Sequence, residues 1–411
     1  MKLLSYTLLF FALIPSCSKS PIPQQWAKPI TLQPQTRAVL EQSNAFAFDF
    51  LKAVAQQHTQ NLFLSPYSVF GVLGMLYNGA AGETKEEIAK VLGMSNFTPQ
   101  QVNEYYQELT NALLKIDPKT KLSLANAIWA NKGYPLKSSF ITLNQNYYDA
   151  KVSTLDFSQA SALKTINDWC KDKTKGTIPK ILDNIDPNTI VILANAIYFK
   201  SIWMEKLKFD KSKTVEKPFY NKDGTTSKVS RMHQQPIELL YAQMDNCGMV
   251  TLPYSNGAFA MNLILPDEGE DIDALIKELN GDVWQIMVNH RSAAAVTLSM
   301  PRFKQESSLE KLEDILAALG MPSAFSKNSA NFSDMLDVRM WISKVIQKSY
   351  ISVDEEGTEA AAVTVAKGDV MSPGPRPNPK EVTIIVDRPF LFLITEQSTG
   401  AILFMGKITK L

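Results

Sequence analysis

The stretch Val353-Asp-Glu-Glu-Gly-Thr-Glu-Ala-Ala-Ala-Val-Thr-Val365 changes character at its glycine. Acidic residues precede Gly357, and small or β-branched residues dominate after it. Alternate positions are all small or apolar: Thr358, Ala360, Ala362, Thr364, Ala366, Gly368 and Val370. The positions between them, from residue 359 to 369, hold every charge. This period of two is typical of a half-buried strand.

The flanks of this segment favour a different structure. Gly357 precedes it, and residues 371–379 after it contain four prolines, as an exposed loop would. Two interpretations therefore remain open. The segment is either an edge strand that runs into a loop, or a loop that can become a strand.

Outward from this segment, helical patterns occupy much of the chain. Ser65-Pro66 opens a helix, because serine is a good N-cap and proline suits the first helical position. Phe46, Phe50 and Val54 are spaced by four residues, which predicts one face of a helix. Besides the helix that begins at 65–66, the sequence predicts helices at residues 41–57, 83–92, 99–114, 160–174 and 309–319.

Strands are predicted between these helices. Residues 122–129 and 190–199 each contain Leu-Ala-Asn-Ala-Ile followed by an aromatic residue, which indicates two central strands with similar burial. A buried asparagine must find hydrogen-bond partners, so Asn195 predicts a small polar cluster in the core. Residues 390–395 and 401–408 predict a C-terminal hairpin. Helices first and strands later indicate a mixed α+β fold.

The composition excludes several classes of function. In 411 residues, 42 basic side chains balance 41 acidic ones, so no global charge favours nucleic acid as a partner. The three histidines and the cysteines are too scattered for a compact metal site. Cys170 and Cys247 can form one disulfide, but two free thiols are the favoured expectation.

Common enzyme signatures are missing from the sequence. It lacks GxSxG, HExxH and GxGxxG, and residues 400–407 have the wrong glycine spacing for a phosphate-binding loop. The adjacent carboxylates Glu86/Glu87 and Glu355/Glu356 do not face each other on a helix or strand, which favours solvated charge. We therefore expect no catalytic residues, no cofactor and no metal.

The N-terminus has the pattern of an export signal. Lys2 precedes an apolar run at 3–14, which forms a helix of about 18 Å and is too short for a roughly 30 Å hydrocarbon core. The run ends in Ile14-Pro15-Ser16-Cys17, which resembles a bacterial lipobox, although Pro15 departs from the usual residue there. The alternative is an ordinary signal peptide with Cys17 merely nearby.

The N-terminal pattern predicts an exported protein of the bacterial cell envelope, periplasmic or on the surface. A signal peptide at 1–16 would be removed, and lipidated Cys17 would anchor the protein, with no other contact to the membrane. Residues 17–37 are rich in proline and glutamine and predict an extended tether. Residues 38–411 then form a single domain.

Several motifs resemble those of the serpins, the serine protease inhibitor superfamily. Asn61-Leu-Phe-Leu-Ser65-Pro66-Tyr-Ser68 is similar to the family's entry into helix B. The other matching segments are 166–178 for helix F, 195–203 for the central strand with the breach tryptophan, 355–362 for the hinge of inhibitory members, and 387–394 and 403–407 for the C-terminal signature.

The resemblance implies the serpin fold, with about nine helices around three β-sheets and an exposed reactive-centre loop at about residues 357–386. The implied hinge comprises Glu355, Gly357, Thr358, Glu359, Ala360, Ala361 and Ala362. The implied shutter and breach, where the central sheet opens, comprise Ser65, Ser68, Asn195, Trp203 and Gln347.

Two positions depart from the family pattern. Gln347 stands where the family usually has a histidine. It can bond Asn195 or the serines at 65 and 68, but it does not titrate near neutral pH. Ser201 stands where the family has a glycine, two residues before the breach tryptophan. Both departures bear on how readily the sheet opens.

The function implied by the resemblance is suicide inhibition of a protease. A serine protease, or alternatively a cysteine protease, attacks the loop and forms a covalent acyl-enzyme, which is trapped when the cut loop inserts into the central sheet. The family register places the reactive bond at Met371-Ser372, with Val370 as the alternative, which suits elastase-like or chymotrypsin-like targets. A monomer is expected. The competing hypothesis is a non-inhibitory carrier or chaperone.

Overall fold

The computed structural model describes residues 26–309, 311–358 and 379–411. Its helices there are α1 (Pro34–Gln57), α2 (Pro66–Gly79), α3 (Gly82–Val91), α4 (Pro99–Leu113), α5 (Ser138–Tyr148), α6 (Ala160–Lys173), α7 (Ile272–Glu278), α8 (Gly281–Asn289) and α9 (Leu312–Leu319). Its strands there are β1 (Leu62–Leu64), β2 (Lys121–Asn131), β3 (Lys151–Leu155), β4 (Val191–Ile202), β5 (Val215–Tyr220), β6 (Thr226–Gln243), β7 (Cys247–Pro253), β8 (Phe259–Pro266), β9 (Ser292–Pro301), β10 (Phe303–Leu309), β11 (Gln347–Val353), β12 (Gly357–Thr358), β13 (Lys380–Ile385), β14 (Phe390–Glu396) and β15 (Ile402–Ile408). The predicted α+β class is confirmed.

Local sequence explains where the helices begin. The Ser68 N–H donates to the Ser65 side chain and Pro66 occupies the first turn of α2, which confirms the predicted start. Helix α9 begins at Leu312, not at 309 as predicted, because β10 continues through Leu309. Leu309 is 3% exposed and continues the alternation of buried residues along β10. Because it is apolar, it also fitted the helical pattern, and the prediction assigned it to the helix.

The N-terminal part of the described chain corrects the predicted tether. Helix α1 begins at Pro34, and the residues before it lie on the folded body. The Ala27 N–H donates to the Asn256 carbonyl at 3.0 Å, and the Ile30 N–H donates to Ser398 Oγ at 2.8 Å. Leu32 is buried, because its apolar surface is more stable away from water than in a solvated tether. The folded unit therefore begins before residue 38.

A six-stranded sheet has the order β10-β11-β12-β4-β2-β3. β2 and β4 are antiparallel, with Asn126 directly opposite Asn195. The two Leu-Ala-Asn-Ala-Ile copies read nearly the same in reverse, so antiparallel pairing aligns their asparagines. β12 lies between β11 and β4, and no ladder joins β4 directly to β11 in the described residues.

A nine-stranded sheet has the order β1-β15-β14-β8-β7-β6-β9-β13, with β5 paired to β6. Three sheets were expected, but two of them are hydrogen-bonded into this one because β6 runs through both. The pairing of β6 with β9 shifts register between Gln234 and Ile237. β13 pairs in parallel with β9. Ile384 of β13 and Val386 just after it are buried. The predicted loop end at 386 is therefore too late, because β13 begins at Lys380.

The six-stranded sheet is covered on both faces. One large hydrophobic cluster includes Phe70 of α2, Phe199 of β4 and Phe404 of β15. A smaller cluster under α6 includes Trp129 and Trp169, whose rings meet edge to face at 5.2 Å. A further strand in this sheet would thus meet packed layers above and below it.

Cys170 in α6 and Cys247 in β7 are both free and buried in the described structure, as the favoured expectation predicted. Burial raises the pKa of Cys170 to about 11 and the pKa of Cys247 to about 12. Both thiols therefore remain protonated at neutral pH and behave as small core residues.

Candidate functional site: hinge, breach and shutter

The hinge residue Thr358 is already a member of the six-stranded sheet. It pairs with Ser201 of β4 on one side and with Val353 of β11 on the other. Its side chain is 1% exposed, and its Oγ1 lies 2.6 Å from the hydroxyl of Tyr254. The period-two pattern predicted that Thr358 faces inward, and its burial confirms this. It also corrects the predicted loop start at 357, because Gly357 and Thr358 form β12 within the sheet.

Gly357 is required by a close approach of two strands. Its φ is +152°, and a Cβ atom there would lie 2.2 Å from the Ser201 carbonyl oxygen and 2.6 Å from Ile202 Cα. Any larger residue would push the hinge away from β4. The glycine thus sets where the loop can enter the sheet.

Trp203 holds the turn that leads into the hinge. The indole is fully buried, and its Nε1–H donates to the Asp354 carbonyl at 2.8 Å. The Trp203 backbone N–H donates to the Glu356 carbonyl at 2.7 Å. The ring stacks on Tyr254 with centroids 4.6 Å apart. Trp203 therefore links the end of β4 to both the hinge turn and the residue that contacts Thr358.

Glu355 corrects the expectation of solvated charge at the hinge, because it is 1% exposed. Its Oε1 accepts from Arg302 Nε at 2.7 Å and from the Thr214 hydroxyl. Burial alone would raise the pKa of Glu355, but the hydrogen bonds from Arg302 and Thr214 hold that pKa below its usual value. The carboxylate therefore ties the hinge turn to the start of β10.

Asn195 lies in the polar cluster that its sequence predicted. Ser68 Oγ donates to Asn195 Oδ1, and Asn195 Nδ2 donates to Asn126 Oδ1 at 2.8 Å. Asn126 Nδ2 in turn donates to the Tyr148 carbonyl at 2.7 Å. Sequence reasoning missed Asn126, although the repeated Leu-Ala-Asn-Ala-Ile motif was the signal that could have found it. The chain of bonds connects α2 to both central strands.

Gln347 bonds one of the residues proposed for it, Ser65, and does so through the Ser65 backbone. Its Nε2 donates to the Ser65 carbonyl at 2.8 Å, and its Oε1 accepts from the Ser65 N–H at 3.2 Å. The Ser65 hydroxyl donates to the Leu403 carbonyl at 2.8 Å. Gln347 thus bonds the backbone of Ser65 and no side chain of the cluster around Asn195. β11 is therefore bonded to the start of α2 through Gln347, whereas β4 is bonded to α2 through Asn195.

The remaining predicted site residues fall outside the described residues. They are Cys17, Glu359, Ala360, Ala361, Ala362, Val370, Met371 and Ser372. Across the described ranges, no group of three or more His, Cys, Asp or Glu side chains could hold a metal ion. None of the helices in those ranges is both long and apolar enough to cross a membrane.

The arrangement of hinge, breach and shutter can be compared with known proteins. A family model described as serpin (serine protease inhibitor) matches residues 41–411. The chain belongs to the serpin family. This serpin is 34% identical over 386 residues to Serpin B6 of Macaca fascicularis, covering 90% of this chain and 98% of that protein.

Two further proteins are similar over nearly the whole chain. The leukocyte elastase inhibitor of Homo sapiens is 33% identical over 380 residues, covering 89% of this chain and 97% of that protein. The crystal structure of the thermophilic serpin tengpin in the native state superposes with a TM-score of 0.83 and 30% identity, covering 94% of this chain and 97% of tengpin. This chain thus shares its family and fold with a protein named as an inhibitor of leukocyte elastase.

Proposed function

We propose that this serpin is a suicide-substrate inhibitor of elastase-like or chymotrypsin-like serine proteases. The target attacks the reactive-centre loop and forms an acyl-enzyme. The cut loop then enters the six-stranded sheet between β4 and β11. The protease is carried away from its starting position while the ester bond is still intact.

The observation that supports this proposal most is the position of Thr358. It occupies the gap between β4 and β11 with its side chain inward and its backbone paired on both sides. Below it the two flanking strands have no ladder to each other in the described residues. Strand addition there would supply each edge with a hydrogen-bonding partner, which is the known basis of serpin loop insertion. The small residues at alternate positions after Thr358 are of a size that suits burial in such an added strand.

Met371 is the proposed residue on the acyl side of the cut bond. An unbranched apolar side chain fits the specificity pocket of elastase-like and chymotrypsin-like proteases. The relative named leukocyte elastase inhibitor supports an elastase-like target. Cysteine proteases also form acyl-enzymes and are the second class to test.

Incubation with neutrophil or pancreatic elastase tests the proposal. A covalent complex that survives SDS should form, and mass spectrometry of the released C-terminal fragment should place its first residue at Ser372. Met371→Arg should transfer complex formation from elastase to a trypsin-like protease, whereas Val370→Arg should not.

Two outcomes would contradict the proposal in different ways. Transfer by Val370→Arg alone would move the bond to Val370-Met371. Cleaved protein with fully active protease would instead favour the non-inhibitory carrier or chaperone.

We also propose that the protein is a lipoprotein of the bacterial cell envelope, anchored through Cys17. The support is the apolar run at 3–14 and the motif Ile14-Pro15-Ser16-Cys17. Cys17→Ala should abolish incorporation of labelled fatty acid and should release the protein from the membrane fraction. Cys170→Ala is the matched control and should leave both unchanged. A Cys17→Ala variant that still fractionates with membranes would contradict the lipid anchor.

A further inference from the structure

Ser201, which replaces a family glycine, lies in a row of buried side chains at the breach. Thr358 is its direct partner across β12 and β4, and Val353 is the partner of Thr358 on the other side. Ser201 is 1% exposed, and its Oγ lies 2.6 Å from Thr120 Oγ1, just before β2 begins. The side chain is therefore held at the edge that the hinge must pair with.

The direction of the hydrogen bonds along this row is fixed by Asp117. Asp117 is 4% exposed, and its Oδ2 accepts from Thr120 Oγ1 at 2.5 Å. A carboxylate only accepts, so the single hydroxyl hydrogen of Thr120 is committed to Asp117. The hydroxyl of Ser201 must then donate to Thr120. A glycine or alanine at 201 would leave that acceptor without its donor.

A second path connects Asp117 back to the same end of β4. Asp117 Oδ1 accepts from Ser255 Oγ at 3.1 Å, and the Ser255 N–H donates to the Ile202 carbonyl at 2.9 Å. Ser255 has a φ of +38°, an uncommon conformation for serine that such contacts can hold. Residues 201, 120, 117, 255 and 202 thus form a closed circuit of hydrogen bonds and one peptide link.

The circuit fixes the end of β4 relative to Tyr254, the neighbour of Ser255. Tyr254 contacts Thr358 through its hydroxyl, and it stacks on Trp203. Thr358 is paired within the sheet in the same structure that contains the complete circuit. The circuit is therefore compatible with the first step of insertion, the pairing of Thr358. It holds the edge of β4 in the position that pairs with Thr358.

We infer that Ser201 is a positioning residue for loop insertion, acting through Thr120 and Asp117. This inference rests on the proposed inhibitory function. Without the Ser201–Thr120 bond, the end of β4 is less restrained and presents its pairing edge less often. Insertion of the cut loop then slows, while the deacylation rate of the protease is unchanged. More protease escapes from the acyl-enzyme.

Thr120→Val tests the inference at constant side-chain volume, and Thr120→Ser restores the hydroxyl. With elastase, the ratio of released to trapped protease should rise on the order of fivefold in Thr120→Val and in Ser201→Ala, the rate equivalent of one net hydrogen bond. The double variant should rise no further than Thr120→Val, because Thr120→Val already removes the Ser201–Thr120 bond. Thr120→Ser should match the parent.

Thr84→Val is the matched control for a merely structural effect. Thr84 Oγ1 is buried in α3, far along the chain from the hinge, and accepts from Ser323 Oγ and the Asn331 N–H at 3.0 Å each. This variant should lower the melting temperature but leave the ratio of released to trapped protease unchanged. An unchanged or lower ratio in Thr120→Val would overturn the inference.

A second readout separates this inference from the proposed function. A metalloprotease cuts the loop without forming an acyl-enzyme, so insertion can be followed alone as the appearance of a heat-resistant form. Thr120→Val should slow this appearance on the order of fivefold relative to Thr84→Val. If the parent traps no elastase, the proposed function fails and this rate still decides the inference. Equal rates in the two variants would overturn it.

Discussion

At the residue scale, Thr358 is buried against the hydroxyl of a tyrosine. Its side chain is 1% exposed and contacts the Tyr254 hydroxyl, which is itself buried against Trp203. Burial raises the pKa of Tyr254 well above its usual value, so the phenol stays neutral. A cation placed at position 358 would find no partner in these contacts.

Thr358→Arg should convert the inhibitor into a substrate. Burying an unpaired guanidinium costs several kcal/mol even after relaxation. If about 2.7 kcal/mol of this appears in the barrier, insertion slows roughly a hundredfold while deacylation is unchanged. The variant should be cut at the same bond, and the protease should be released active. The yield of SDS-resistant complex on a gel measures the effect.

Glu359→Arg is the control for this substitution, because the period-two pattern directs position 359 toward solvent. It should retain most of the complex yield. A Thr358→Arg variant that traps protease as well as the parent would refute the inward position of Thr358 during insertion.

The sequence predicted inward-facing and buried polar residues better than it predicted their partners. The alternation of small and charged residues predicts that Thr358 faces inward. The rule that buried amides need hydrogen-bond partners predicts a polar cluster at Asn195. Neither argument identifies Tyr254, which comes from a turn about a hundred residues away and meets Thr358 only through the fold. Gln347 illustrates the same limit. Its chemistry allows several acceptors, and only the packing of β11 against α2 selects the backbone of Ser65.

At the scale of elements, one buried carboxylate bonds the turn between β11 and β12 to Arg302, which lies between β9 and β10. Glu355 accepts from Arg302 and Thr214, and hydrogen bonds to charged groups contribute about 1.5–3 kcal/mol. The pKa of Glu355 is held below its usual value. A group with a lowered pKa contributes stability above its unfolded pKa, about 4.3, and this is lost as pH falls through the folded value.

Glu355→Gln should therefore destabilise the protein at pH 7 by about 1.5–3 kcal/mol, and the difference from the parent should shrink below about pH 4. Urea unfolding at pH 7 and pH 3 measures both values. Glu356→Gln is the matched control, because its partner Lys211 is 55% exposed and such pairs contribute little. A gap between Glu355→Gln and the parent that is equally large at pH 3 would contradict the role of the ionised carboxylate.

Boundaries between elements were the least predictable part of the fold. Residues 309–319 carry a continuous apolar pattern, yet Leu309 ends β10 and Leu312 begins α9. Hydrophobic periodicity cannot locate the boundary between a strand and a helix in such a run, because an apolar residue at the boundary fits the pattern of both. The described part of the predicted tether, from residue 26 to 37, lies on the folded body for a related reason. Its prolines and glutamines indicate an extended chain, but Ala27, Ile30 and Leu32 supply enough apolar surface to lie on the body.

At the scale of the whole molecule, the six-stranded sheet contains one very short strand, β12, between two longer strands, β4 and β11. β4 has twelve residues, whereas β12 has two. The described layers above and below are already packed by the clusters around Phe199 and Trp169. Residues 359–371 could continue β12, and as a strand they would extend about 43 Å. The uncut loop is joined to β13 at its far end, which prevents full insertion.

Cleavage at Met371-Ser372 should therefore raise the melting temperature strongly. If each of the thirteen residues from 359 to 371 gains about 1 kcal/mol net, the total is on the order of 10 kcal/mol. At about 2 °C per kcal/mol for a large domain, the melting temperature rises on the order of 20 °C. Calorimetry before and after complete cleavage measures this rise. Equal melting temperatures for intact and cleaved parent protein would show that the loop does not insert.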